Sequence, residues 1–302
     1  MNEQTAWING EFLPFNDAGL SLADSGVVHG DSVTEMLRTF RHEPFRVAEH
    51  LVRFRHSLTA ALLECPYTDE ELTDVIVQVI QRATTDLSEK TDLGLILFAT
   101  GGANVTYVGS EYDRSPTVCV HSFPLQTDLW KRLMRDGQSL VVSAHPAIPT
   151  NSFDPTIKSR SRMHWRIADR EVRKSHPQAS AVFADEEGNL TETSSGNLFA
   201  VLDDTIITPS ADIVLNGISR QFVIELAEHR GWSVHQEPLT IDRALTASEL
   251  WTSSTPYCLA PVTVLNEQPI GDGTPGPRYL ELIEAWSELV GVDIRQQILA
   301  DD

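Results

Sequence analysis

The apolar positions of this chain change period several times, and each change marks an element. "WINGEFLP" sets short apolar runs on either side of Asn9-Gly10, the signal of a tight hairpin. "MLRTFRHEPFRV" reads as a second hairpin, with Arg41, His42 and Glu43 near its turn. From Ala48 the period lengthens: Leu51, Phe54, Leu58 and Leu62 fall on one helical face, and Leu72, Val75, Ile76, Val79 and Ile80 mark another helix. "LGLILFAT" and "TVCVHSF" are continuous apolar runs that suit buried strands.

"FPLQTDLWKR" breaks the periodicity with Pro124 and a polar stretch. "SLVVSAHPAIP" resumes as a strand, and a helix follows from about Ser161 to Arg173, ended by His176-Pro177. Beyond it come "SAVFAD", the turn "EEGN", "LTETS" and "NLFAVLDDTIITP", a strand-rich stretch. "VLNGISRQFVIELAEHRGW" is a helix that starts after Asn216-Gly217, aligns Ile218, Phe222 and Leu226, and stops at Gly231. No internal repeat interrupts this order. The pattern predicts an α+β fold: a smaller N-terminal α/β domain over residues 1–122, a linker over 123–131, and a larger, sheet-rich C-terminal domain over 132–302.

Composition narrows the function. Forty-three acidic residues against 23 basic ones give a net charge of -20, which repels phosphate backbones and anionic membrane surfaces. A nucleic-acid or membrane partner is not expected. Cys65, Cys119 and Cys258 are odd in number and far apart, with neither a disulfide framework nor a zinc spacing. Without a signal-peptide pattern or an apolar run of spanning length, the expected setting is soluble and cytoplasmic. "GDGTPG" at 271–276 matches a dinucleotide fingerprint, but Pro275 and Pro277 and the short remaining chain make it a surface turn. No serine elbow, phosphate loop or metal-ligand spacing is present, so no metal is expected.

One basic run stands out in this acidic chain: "PTIKSRSRMHW", with Lys158, Arg160, Arg162 and His164. Lysine is scarce, confined to Lys90, Lys131, Lys158 and Lys174. Only Lys158 follows an apolar residue where a strand hands over to a helix, a place suited to presenting a side chain. Neighbouring cations would lower its pKa, as a nucleophilic amine needs. Yet Arg162, Arg166, Arg170 and Lys174 recur every four residues, the mark of a solvated helix face. Residue physics leaves both readings open.

Several ordered blocks then resemble one family, the class IV aminotransferases, or fold-type IV pyridoxal-phosphate enzymes. They are "HGDSVTEMLRTF", "PFRVAEHLVRF", "TIKSRSR", "LTETSSGNLFAV", "VLNGISRQFV" and "TSSTPYCLAPV". The resemblance implies pyridoxal 5'-phosphate as cofactor, with Lys158 as the Schiff-base lysine that shuttles the substrate proton. It implies Glu192 facing the pyridine nitrogen and Arg53 gripping the phosphate. Gly217, Ile218 and Ser219 would turn backbone N–H groups to that phosphate, and Ser254 and Thr255 would form a second phosphate turn. Arg162 stands near where a tyrosine often bonds the phenolic oxygen, and is assigned that bond.

The same resemblance implies transfer of an amino group between an amino acid, branched-chain or otherwise apolar, and a 2-oxo acid, by a homodimer. A lyase of the aminodeoxychorismate type is the alternative, and a non-catalytic relative using the Lys158 region as a charged surface the further rival. The family does not fix L or D stereochemistry. Substrate positions depart from its pattern. Asp92-Leu93-Gly94 replaces a Tyr-x-Arg, Thr34 an aromatic, and Pro256-Tyr257 a turn that offers N–H groups. Arg38 is the candidate replacement carboxylate clamp, against a plain strand-end surface arginine, with Thr34 and Tyr257 beside it as candidate substrate contacts.

Overall fold

The Asn9-Gly10 signal becomes a hairpin because both residues accept positive φ (45° and 101°), the backbone hand that a two-residue turn needs. In the computed structural model, which describes residues 5–111 and 115–300, Thr5–Ile8 (β1) and Glu11–Pro14 (β2) pair across it. Ser32–Phe40 (β3) and Glu43–Pro44 (β4) pair across Arg41 and His42, also at positive φ. Leu93–Thr100 (β5) and Val118–Pro124 (β6) complete an antiparallel sheet in the order β2-β1-β6-β5-β3-β4.

Two helices cover one face of this sheet. Val47–Ala60 buries Leu51, Phe54 and Leu58. Asp69–Thr84 begins with a capping box between Thr68 and Glu71 and buries Leu72, Val75, Ile76, Val79 and Ile80. They meet Val33, Leu37, Leu95, Leu97, Val118 and Val120 in one core. Each such side chain, fully buried, contributes about 1.5–3 kcal/mol.

Leu62 departs from the expected helical face. The helix ends at Ala60, and Leu62 takes φ 57° with its side chain 91% exposed. The Leu63 N–H reaches back to the Leu58 carbonyl (2.9 Å), the closing bond of a Schellman stop, and Leu63 packs on the core instead.

The second unit contains a mixed ten-stranded sheet. Its strands are Gln138–Val142 (β7), Ser180–Ala184 (β8), Asn189–Thr193 (β9), Asn197–Leu202 (β10) and Thr205–Thr208 (β11). Val234–Gln236 (β12), Leu239–Thr240 (β13), Glu249–Ser254 (β14), Cys258–Leu265 (β15) and Gln268–Pro269 (β16) follow. The path β10-β14-β15-β7-β8-β9 returns on itself, because β9 meets β10 again through Glu192 and Asn197. The ring encloses Leu140, Val182, Leu190, Leu198, Leu250 and Val262. Its seam is the single pair Asn197–Glu192. "GDGTPG" is a turn with Gly271 and Gly273 at positive φ, and Pro277 opens the helix Pro277–Val290.

The chain passes from one compact unit to the other after Leu125, within the stretch 123–131, and the lysine segment departs from the expected division. The first compact unit is Met1–Leu125 with Ile157–Ser161, and the second is Gln126–Thr156 with Arg162–Asp302. Within the polar, proline-bearing stretch 123–131, Pro124 is still paired with Leu93 in the first sheet. Thr127–Trp130 and Lys131–Asp136 then form short helices. Lys158, expected in the C-terminal domain, packs with the N-terminal unit.

Candidate functional site

In the first unit the lysine segment behaves as a short added strand. Lys158 N–H donates to Ser57 Oγ (3.1 Å), Thr34 N–H donates to the Lys158 carbonyl (2.9 Å), and Arg160 N–H donates to the Ser32 carbonyl (3.0 Å). Val33 and Ser159 form the bridge between these bonds. Ser159 N–H also reaches the Ile157 carbonyl (2.8 Å), a γ-turn centred on Lys158. Ile157 packs on the hydrophobic core. Lys158 is therefore fixed by contacts more than a hundred residues away in sequence.

Beside it lies a buried cluster that the sequence reading did not find. Glu35 accepts from Arg53 Nε (2.8 Å) and Nη2 (2.6 Å), and its Oε2 lies 2.7 Å from His50 Nδ1. Burial alone would raise the Glu35 pKa; the charge and hydrogen bonds of Arg53, with His50, overcome it and hold the carboxyl at about 2. His50 is pushed down, mainly by burial, with Arg53 and Lys158 adding to the effect against Glu35. The missed signal is Glu35's place: it alternates with Val33 and Leu37, so a charge falls in core phase and demands a buried partner.

Arg38 is neither a surface arginine nor a substrate clamp in this arrangement. It is 2% exposed, its Nη2 lies 3.6 Å from Asp92 Oδ2, its Nε donates to the Thr39 carbonyl (3.1 Å), and it stacks on Phe40. A buried guanidinium requires a partner, and Asp92, standing where Tyr-x-Arg was expected, provides it. Thr34 donates its hydroxyl to the Leu97 carbonyl (3.0 Å) and bears on Lys158 through the main chain.

In the second unit, Glu192 sits at the seam of the ring. Leu215 N–H donates to Oε1 (3.2 Å) and Asn197 Nδ2 donates to Oε2 (3.4 Å) while also reaching the Leu215 carbonyl (2.7 Å). Arg162 donates to the Ser194 carbonyl; burial pushes its pKa down and the charges of Glu192 and Asp169 oppose that. Arg162 thus leaves the basic stripe whose other members, Arg166, Arg170 and Lys174, are exposed. Burial and the Arg162 charge push the His164 pKa down beside Trp165 and Phe183. Arg220, a further residue missed in sequence, is buried among Thr208, Pro209 and Gln236; burial pushes its pKa down to about 10 against the pull of Glu192.

The helix Ile218–His229 begins at Gly217 without a side-chain cap. A Cβ on Gly217 would lie 2.2 Å from Asn197 Oδ1, so any larger residue there must displace Asn197. Ser254 Oγ donates to the Ser195 carbonyl (2.5 Å), Thr255 is half-buried, and Ser253 Oγ is buried with no hydrogen-bond partner among the described residues. Tyr257, expected at the substrate, is 3% exposed with its hydroxyl on Thr252 Oγ1 (3.2 Å), so it braces this turn from within. The uncapped N–H groups of Ile218 and Ser219 and the unpartnered serine fit a bound phosphate, and the fixed carboxylate fits a protonated ring nitrogen. Among the described residues, no cluster suited to a metal is present and no helix is long and apolar enough to cross a membrane.

Comparison with known proteins gives the family. The profile of "Amino-transferase class IV" matches residues 32–265. The chain belongs to the class IV aminotransferase family. It is 30% identical over 288 residues to the branched-chain-amino-acid aminotransferase-like protein 1 of Arabidopsis thaliana, covering 94% of this chain and 50% of that one. The chain thus spans about half the length of the first curated relatives it matches. A D-alanine aminotransferase of Bacillus licheniformis is 26% identical over 270 residues, covering 89% and 91%. Among solved structures, a branched-chain amino acid aminotransferase from T.th. with pyridoxamine 5'-phosphate superposes with a TM-score of 0.85 at 29% identity, covering 95% of this chain and 93% of that one.

Proposed function

We propose that this protein is a pyridoxal-phosphate-dependent aminotransferase acting between an amino acid and a 2-oxo acid. The observation that carries the reading is Glu192, a carboxylate held from two sides at the ring seam and adjoining an uncapped helix N-terminus. Bound pyridoxal phosphate supplies an electrophilic carbonyl and an electron-withdrawing ring. Lys158 Nζ would supply the amine for that carbonyl and would carry the proton between the substrate Cα and the carbon on the far side of the shared nitrogen. Glu192 keeps the ring nitrogen protonated.

Ile218 and Ser219 N–H groups, with Thr255 and the Ser253 hydroxyl, would hold the phosphate. In the first unit, Arg53 carries a guanidinium, oriented by Glu35, of the kind that would suit a phosphate. Ser254 and Tyr257 hold the turn in place. Arg162 acts on the loop after Glu192 through Ser194, in place of the phenolic bond first assigned to it. A homodimer is part of this reading.

The test is reconstitution followed by borohydride. The loaded protein is expected to be yellow, to lose that colour on reduction and to carry the label on Lys158; a protein that stays colourless and unlabelled overturns the reading. A donor panel, scored by conversion of the bound cofactor to its amine form, identifies the substrate side chain and stereochemistry. Pyruvate release without a second oxo acid would indicate a lyase instead.

A further inference from the structure

The first unit's sheet has two unlike faces. The helices Val47–Ala60 and Asp69–Thr84 cover the face carrying Val33, Leu95, Leu97, Val118 and Val120. Alternation turns Thr34, Phe98 and Cys119, which pair directly with one another, to the opposite face. Arg160 stands on that face, its guanidinium 4.9 Å above the Phe98 ring. Its main chain is pinned to Ser32 two residues beyond Lys158, so the two Cα atoms lie within roughly 7 Å.

Among the described residues, no carboxylate pairs with Arg160. Arg160 is exposed and open to solvent. Partial burial against the sheet lowers its pKa, and the Cys119 thiol opposes that. The nearby imidazole of His121 is kept neutral, its pKa pushed down to about 4 by burial and by Arg160, and its buried Nδ1 has no partner among the described residues. The ring beneath the guanidinium consumes none of its N–H donors. A planar fork with such surroundings suits a carboxylate from solution. The other arginine considered for that task, Arg38, is occupied by Asp92.

We propose that Arg160 binds the α-carboxylate of the amino-acid donor and of the 2-oxo-acid acceptor. The proposal rests on the aminotransferase reading and adds its specificity-determining residue. Placing the fork two residues from the reacting amine ties carboxylate and Cα to one rigid segment. Donors lacking a carboxylate gain nothing from it.

The experiment uses the holoenzyme and its Arg160→Gln and Arg160→Lys variants. Amino acids are compared with the primary amines of the same side chain, with cofactor conversion as the readout. R160Q is expected to raise the amino-acid KM by about 100-fold with kcat and the cofactor spectrum retained, the scale of a lost charge-assisted contact. R160K is expected to recover part of that loss, and the preference for amino acid over amine should collapse in R160Q. An unchanged KM, or equal losses for amino acid and amine, overturns the proposal. A loss confined to dicarboxylic donors overturns the α-carboxylate assignment in favour of a side-chain carboxylate. A wild type that neither colours nor converts any donor overturns the aminotransferase reading itself, a failure distinct from that of Arg160.

Discussion

Glu35 accepts two hydrogen bonds from Arg53 and one contact from His50 while fully buried, so its charge is held from several sides. Glu35→Gln preserves its shape but leaves Arg53 without its counter-charge. The expected cost is about 3–5 kcal/mol, the scale for breaking a buried ion pair, read as a lower denaturant midpoint. Removing both charges in E35Q/R53M should recover stability relative to E35Q alone, while pyridoxal-phosphate affinity stays low. Equal destabilisation in both variants would show that Glu35 matters by packing and not by charge. The scarcity of lysine singled out Lys158 in sequence, but nothing local to Glu35 names its partners. They lie 15 and 18 residues on, across a hairpin and onto a helix.

The helix Ile218–His229 shows how much of an element is legible locally. Asn216-Gly217 and Gly231 mark its ends in sequence, and the structure places the helix between them. The local code does not say why residue 217 is glycine: Asn197, from a strand, occupies the space of its Cβ. Gly217→Ala should displace Asn197, loosen Glu192 and weaken cofactor binding at least about tenfold, the loss of a little over 1 kcal/mol. Gly231→Ala at φ 74° should cost about 1–2 kcal/mol of stability with cofactor affinity unchanged. Cofactor titration of the two variants, with their melting curves, separates a site effect from a folding effect. Leu62 teaches the converse. Its spacing matches the apolar face, yet a Schellman stop intervenes and Leu63 takes the buried place.

Across the whole molecule, burial of titratable groups sets the pH range of stability. His50 and His121 have folded pKa values below their ordinary 6.5. The unfolded chain therefore binds their protons first, and stability falls as pH drops below about 6.5. Glu35, lowered from 4.5 to about 2, contributes stability that is present above 4.5 and lost as pH falls toward 2. At the alkaline end Cys119 is raised from 9.0 to about 12, mainly by burial, so its contribution is lost as pH rises above 9. The melting temperature is expected to be flat between roughly pH 7 and 9 and to fall on both sides. His121→Phe, filling the space between Phe15 and Phe123, should flatten the fall between pH 6.5 and 4. An unchanged acid slope in that variant would rule His121 out as its source.

The α+β class, both hairpins, the major helices and the Lys158, Glu192 and Gly217 blocks were determined by the sequence itself. Those features rest on period, turn chemistry and short ordered motifs, all of which act over a few residues. The tertiary structure alone decided that Lys158 is anchored on Ser57 and Thr34, that Arg38 belongs to Asp92, and that Arg53 and His50 share Glu35. The reason is that a charge's partner is chosen by proximity in a low-dielectric interior, where an unpaired ion is costly. Proximity there is set by strand register and helix docking between segments far apart in the chain.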